Sequence, residues 1–121
     1  MSVEAQVNPE ELREQIRSKY AEVAVSPGDD FHFHTGRSLT KRLGYDQSVV
    51  DALPEEAVES FAGVANPFSL QDLVLGEAIV DAGAGAGFDS FVAARCVGPK
   101  GRVVGVDMTS EMLRKSCATA L

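Results

Sequence analysis

Asp81-Ala82-Gly83-Ala84-Gly85-Ala86-Gly87 and, 20 residues after Gly87, Asp107 are the residues best suited to chemistry. Glycine tolerates positive φ and lets a ligand approach the backbone without meeting a Cβ. Where a helix starts just after such a bend, its free N–H groups face the ligand. An acid at the tip of the neighbouring strand accepts hydrogen bonds from ribose hydroxyls, because ligands of open α/β sheets sit outside the carboxyl ends of the strands. Together these residues point to a ligand that contains a nucleoside. The bland alternative is a set of glycines that only permits a tight turn.

The spacing narrows the ligand. A dinucleotide fingerprint reads Gly-x-Gly-x-x-Gly. Counted from Gly83 its third glycine falls on Phe88, and from Gly85 it falls on Ser90. No Gly-Lys-Ser/Thr follows, so a Walker phosphate loop is excluded. What stands here is Gly-x-Gly-x-Gly led by Asp81, the form associated with S-adenosylmethionine enzymes. Radical use of that compound would need a three-cysteine cluster, and Cys96 and Cys117 are the only cysteines.

Other side chains are weaker candidates. His32 and His34 neighbour each other on one face of an extended Phe31-His32-Phe33-His34 segment and titrate near neutral pH, so a base, a metal pair or ordinary surface histidines are all open. Tyr20 and Tyr45 read as packing residues. Cys96 and Cys117 have no metal spacing and read as buried, inert thiols on helices, which fits a reducing, cytoplasmic compartment.

The elements that position the glycine bend follow from local signals. Ala78 to Ala82 is a short apolar run, read as a buried parallel strand. Phe88 to Val97 is a helix, and Gly98-Pro99-Lys100-Gly101 breaks it. Val103 to Asp107 is a second buried strand, and Thr109 caps a helix from Ser110 to about Ala120. Parallel strands joined by a helix belong to doubly wound α/β sheets. Upstream, Asn8, Pro9 and Glu11 start a helix that runs to about Val23, with Leu12, Ile16, Tyr20 and Val23 at helical spacing. Ser38 to Gly44 reads as a helical turn, and Asp46 to Leu53 and Glu55 to Phe61 read as short helices. Phe68 to Leu75 is helical or irregular.

Val80 to Asp89, Ala93-Ala94-Arg95, Val97 to Thr109 and Glu111-Met112-Leu113 closely resemble bacterial class I methyltransferases near the arsenite methyltransferases. Ile16-Arg17, Tyr20-Ala21, Leu43-Gly44-Tyr45 and Gly63-Val64-Ala65-Asn66-Pro67 resemble that family's N-terminal extension. The resemblance implies an α/β fold. It is the N-terminal half of a Rossmann-like methyltransferase sheet (76–121), with two parallel strands and helices, preceded by a mainly helical extension or cap (1–75). It implies that Asp81, Gly83, Gly85 and Gly87 line the amino-acid end of S-adenosylmethionine. Asp107 would bind the ribose, Met108 would pack on the adenine, and Phe88 would begin the helix beside the cofactor. Met108 as plain core packing stays open, and Asp89 is either part of the site or a first-turn acid.

Two departures carry expectations. Arsenite methyltransferases have a cysteine in a Gly-Cys-Gly-Asn-Pro segment, where this chain has Val64, so arsenite is a doubtful acceptor. The family's sheet has seven strands and two are found here, so the chain is expected to be truncated: a fragment, a truncated gene product, or a half completed in trans. The outer edge of strand 78–82 would then be open and would invite self-association.

Composition bounds the rest. The chain has 121 residues, a net charge of −7 and scattered basic residues, which argues against a nucleic-acid surface. The small cluster of Arg37, Lys41 and Arg42 reads as a solvated helix face. No stretch approaches the roughly 18 apolar residues of a membrane span, and the N-terminus lacks a secretory pattern. The expected function is methyl transfer from S-adenosylmethionine to a small-molecule acceptor. A non-catalytic cofactor-binding module and an NAD-dependent oxidoreductase are the alternatives, and Phe88 disfavours the last.

Overall fold

The computed structural model describes residues 8–26 and 34–120. Phe31, His32 and Phe33 lie outside them, so the paired-histidine expectation reaches only His34, which is exposed. Asn8 is extended and its side chain accepts the Glu10 N–H at 3.0 Å. With Pro9 in the first turn, α1 then runs Pro9–Val25. Its buried end is Val23 and Ala24, whereas Leu12 and Ile16 remain partly exposed.

Three short helices follow: α2 (Gly36–Arg42), α3 (Gln47–Asp51) and α4 (Glu55–Glu59). Helices this short are not stable alone, so packing must hold them. Asp46 caps α3 by accepting the Ser48 N–H at 2.9 Å, and Pro54 precedes α4. Leu39, Tyr45, Val50, Leu53, Val58 and Phe61 form one core with Phe88 and Val92 from further along the chain. Tyr45 meets Phe61, Phe68 and Phe88 edge-on, with ring centroids 5.4, 6.2 and 5.0 Å away. Arg37 is more than a solvated basic residue. It pairs with Asp51 of α3 at 2.5 Å and Glu55 of α4 at 2.7 Å. After a 3₁₀ turn at Pro67–Ser69, capped by Asn66, the chain is irregular to β1.

β1 (Ala78–Ala82) and β2 (Arg102–Val106) pair in parallel, from Ala78 opposite Arg102 to Ala82 opposite Val106. α5 (Phe88–Val97) connects them and packs on both, and α6 (Ser110–Ala120) follows β2. Gly105 lies opposite Asp81. A Cβ there would stand 2.9 Å from the Ala84 Cβ and 3.0 Å from the Ser90 Oγ. Only glycine lets the Ser90 hydroxyl reach Asp81, to which it donates at 2.7 Å. A second core joins Val23 and Ala24 of α1 to Ala86 of the bend and Met112 of α6.

Two expectations are corrected. The strands are not buried on both faces: Ile79, Asp81 and Val103 are half-buried, but Val80 is 71% exposed and Val106 52%. Among the described residues β1 pairs with β2 alone, and α5 packs on the pair. Cys117 is exposed rather than buried, because it lies on α6 away from the fully buried Met112. Cys96 is half-buried against the aromatic core. Among the described residues no helix is long and apolar enough to cross a membrane, and no group of His, Cys, Asp and Glu could hold a metal ion.

Candidate functional site

The bend between β1 and α5 is built on positive φ. Gly83 and Gly85 have φ of +75° and +58°, and a Cβ on either would meet nothing within 4 Å. A side chain there would strain the backbone and project into open space, so glycine keeps that space open. Gly87 has a different job. It is the N-cap of α5 at φ +97°, and a Cβ would lie 3.0 Å from the Phe91 ring and 3.1 Å from Ser116.

The bend uses its own backbone donors. Gly83 and Ala84 both donate to the Val106 carbonyl, at 2.7 and 2.9 Å, and Gly87 donates to the Ala84 carbonyl at 3.0 Å. The Gly85 N–H goes to Asp107 Oδ2 and the Thr109 N–H to Asp107 Oδ1, both at 2.8 Å. The neighbouring strand end takes these bend N–H groups, whereas Phe88, Asp89 and Ser90 begin α5, where backbone donors lack an intrahelical partner. Asp107 therefore shapes the bend first. Each of its oxygens spends one lone pair on a backbone N–H and keeps capacity for another donor.

A cavity of about 520 Å³ opens against this bend. α1 contributes Ile16 and Tyr20, and the segment after α4 contributes Ser60 to Val64. The bend contributes Gly83 to Ala86 with Phe88 and Asp89, and the far wall is Val106 to Thr109 with Met112. Its charged lining groups are the carboxylates Asp89 and Asp107, with no Lys, Arg or His among the described residues that line it. Ser60 is 3% exposed, and its Oγ has no hydrogen-bond partner among the described residues. Asp89 accepts the Tyr45 hydroxyl at 2.6 Å. Burial pushes Asp89 up to about 6, against the Tyr45 bond, and the Asp81 carboxylate adds to the rise. The Tyr45 hydroxyl is raised too, by burial first and then by Asp89.

Residues 73–120 match the sequence model of a methyltransferase domain. Over 123 aligned positions, and 90% of its length, the chain is 39% identical to the arsenite methyltransferase of Halobacterium salinarum; it spans 31% of that protein. A crystal structure of an arsenic(III) S-adenosylmethionine methyltransferase from Chlamydomonas reinhardtii matches with a TM-score of 0.56 and 39% identity. That match covers 61% of this chain and 24% of the other, and the two parallel strands with their helices form part of a Rossmann-like methyltransferase fold.

Within the matched segment, Gly83, Gly85, Phe88, Asp107 and Met108 come together around the cavity. Phe88 is 3% exposed and belongs equally to the aromatic core, and Met108 is 47% exposed, which sets aside plain core packing for it. Asp81 and Gly87 do not line the cavity: Asp81 turns to Ser90 under α5, and Gly87 packs against Phe91 and Ser116. Sequence reasoning missed Ser60, Ile16 and the Tyr45–Asp89 pair. Tyr45 and Asp89 lie 44 positions apart, so no local spacing signals their contact.

Proposed function

We propose that the cavity binds S-adenosylmethionine and that the chain carries the cofactor-binding part of a methyltransferase with a small-molecule acceptor. The observation that carries this reading is the charge of the lining: two carboxylates and no cation, beside a bend whose Gly83, Ala84, Gly85 and Gly87 N–H groups are already bonded. Pyrophosphate would meet repulsion from the two carboxylates there, whereas a sulfonium and an ammonium group meet favourable charge. The positive-φ glycines that leave open space, and the orphan hydroxyl of Ser60, fit a ligand lying against the backbone.

In this reading Asp107 accepts ribose hydroxyls with the lone pairs that Gly85 and Thr109 leave free. Gly83 and Gly85 admit the amino-acid end, with Asp81 acting on it only through the fold of the bend. Met108 covers the adenine. Phe61, Phe88 and Met112 exclude water from the cavity floor. When bound, the compound supplies an activated methyl group for direct displacement by a nucleophile. The protein contributes alignment, an effect worth on the order of 7–11 kcal/mol. Val64 is 92% exposed at the cavity rim, where the resembling enzymes carry a thiol, and no cysteine lines the cavity. We therefore infer an acceptor other than arsenite held by that segment. Two free cysteines fit a cytoplasmic setting, and the outer edge of β1 suits pairing with a second copy.

Calorimetry with S-adenosylmethionine and with NAD tests the reading. Saturable micromolar binding of the first, none of the second, and loss of binding in Asp107→Ala are expected. A preference for NAD would overturn it.

A further inference from the structure

Tyr45 has one hydroxyl hydrogen and two acceptors within reach. Its Oη lies 2.6 Å from Asp89 Oδ1 and 3.2 Å from the Ala65 carbonyl oxygen. When Asp89 is ionised, the hydrogen goes to the carboxylate and the Ala65 carbonyl loses it. When Asp89 is protonated, its own hydrogen goes to Tyr45 Oη, and the Tyr45 hydrogen is free for Ala65. Both bonds are then made with one hydrogen each. The ring has little room to favour one acceptor by moving, since it is 6% exposed and wedged edge-on among Phe61, Phe68 and Phe88.

The Ala65 carbonyl directly follows a wall of the cavity. Ala62, Gly63 and Val64, just before it, line the space, while Asp89 lines it from the start of α5. The segment is fixed at its ends: the Phe61 carbonyl accepts the Gly36 N–H at 2.8 Å, and the Asn66 side chain accepts the Phe68 N–H at 3.1 Å. Tyr45 ties the stretch between those ends to the opposite wall.

We infer that Asp89 and Tyr45 are positioning residues that share a proton and, through the Ala65 carbonyl, set how the wall of residues 62–64 closes on the cavity. The groups around Asp89 agree with this assignment. Tyr45 faces it from the α2–α3 turn and Asp81 from β1, while Asp107 from the end of β2 and Tyr20 from α1 line the same cavity. None of these is a cation that would hold Asp89 ionised. Burial places its proton exchange at about 6, so the wall is tied at lower pH and released above it. The wall's response stands without any ligand; its effect on binding rests on the proposed function.

Carbon-13 NMR of the full chain, from about pH 4 to about pH 8, reads both ends of the relay. The Asp89 carboxyl and the Ala65 carbonyl are expected to titrate with one shared midpoint. Tyr45→Phe keeps the ring and should abolish the Ala65 response while Asp89 still titrates. Asp89→Asn keeps a donor for Tyr45 Oη and should hold Ala65 at its low-pH shift. An Ala65 signal that ignores Asp89, or that titrates unchanged in both variants, overturns the relay. Calorimetry with adenosine, which has no ammonium group for the Asp89 carboxylate to attract, then reads the consequence of the wall alone. Affinity should fall about threefold to tenfold from low to high pH in the parent, the worth of one net hydrogen bond, and stay level in Asp89→Asn. Absence of any binding would count against the proposed function, while the NMR result alone decides the relay.

Discussion

The run from β1 to α6 and the helices α2 to α4 hold together by opposite means. The first is regular: two paired strands, a ten-residue and an eleven-residue helix, and a bend tied by main-chain hydrogen bonds. Yet one face of its sheet carries exposed Val80, Val104 and Val106. The second has helices of five to seven residues, but it supplies most of the main core, and Phe88 reaches back into it from the bend. Regularity and burial are thus divided between two regions. The site lies on their seam, where Phe61 to Val64 face Gly83 to Asp89.

That division predicts where the molecule breaks. Phe88→Ala removes the ring shared by both regions, which stacks within 4.3 Å of Phe61 and 5.0 Å of Tyr45. It should cost about 3–5 kcal/mol, read from a denaturant midpoint, and a cost below about 1 kcal/mol would deny that the regions share a core. Next comes pH. Asp89 has a folded pKa raised from 3.8 to about 6, so the fold holds its proton more tightly than the unfolded chain does. Its stabilisation is complete below the unfolded value and is lost as pH rises through the folded one. The loss is on the order of 2 kcal/mol after allowance for partial exposure, and it should vanish in Asp89→Asn when the two unfolding curves are subtracted.

A smaller effect belongs to the regular region alone. Gly105→Ala pushes a methyl group against Ala84 and Ser90 and should cost about 1–2 kcal/mol, with the Asp81–Ser90 bond weakened. Thermal unfolding beside a Gly105→Ala/Ser90→Ala double variant checks this, since the second change should relieve part of the cost. Smallest of all, Val80→Lys on the bare sheet face should change stability by less than about 0.5 kcal/mol. If that face or its edge meets a second copy, the same variant should lower self-association in sedimentation experiments.

Local chemistry made the regular region legible. β1, α5 and α6 fall where apolar runs, glycines and breakers put them, and β2 is displaced by a single residue. The short helical stretches form close to the spans expected for them. Their partners were not legible, because Tyr45 finds Phe61, Phe68 and Phe88 only once the chain has folded. The same holds for the site. Gly83, Gly85 and Asp107 announced themselves by spacing, and they do meet. The fate of the bend's N–H groups and the Tyr45–Asp89 contact depended on which strand end and which loop came near, and sequence periodicity carries no trace of either. The bare sheet face escaped for a related reason: an apolar run says that a strand can be covered on both sides, not that it is.

The Val106 carbonyl accepts both the Gly83 and the Ala84 N–H, so the end of one strand is stitched to the start of the bend by backbone alone. Side-chain truncation cannot cut such a stitch, because positions 82, 84 and 86 are already alanine and Gly83 and Gly85 have nothing to remove. Ala84→Pro, which deletes one of the two donors, should unpick it. The outline of the pocket is thus written in main-chain atoms.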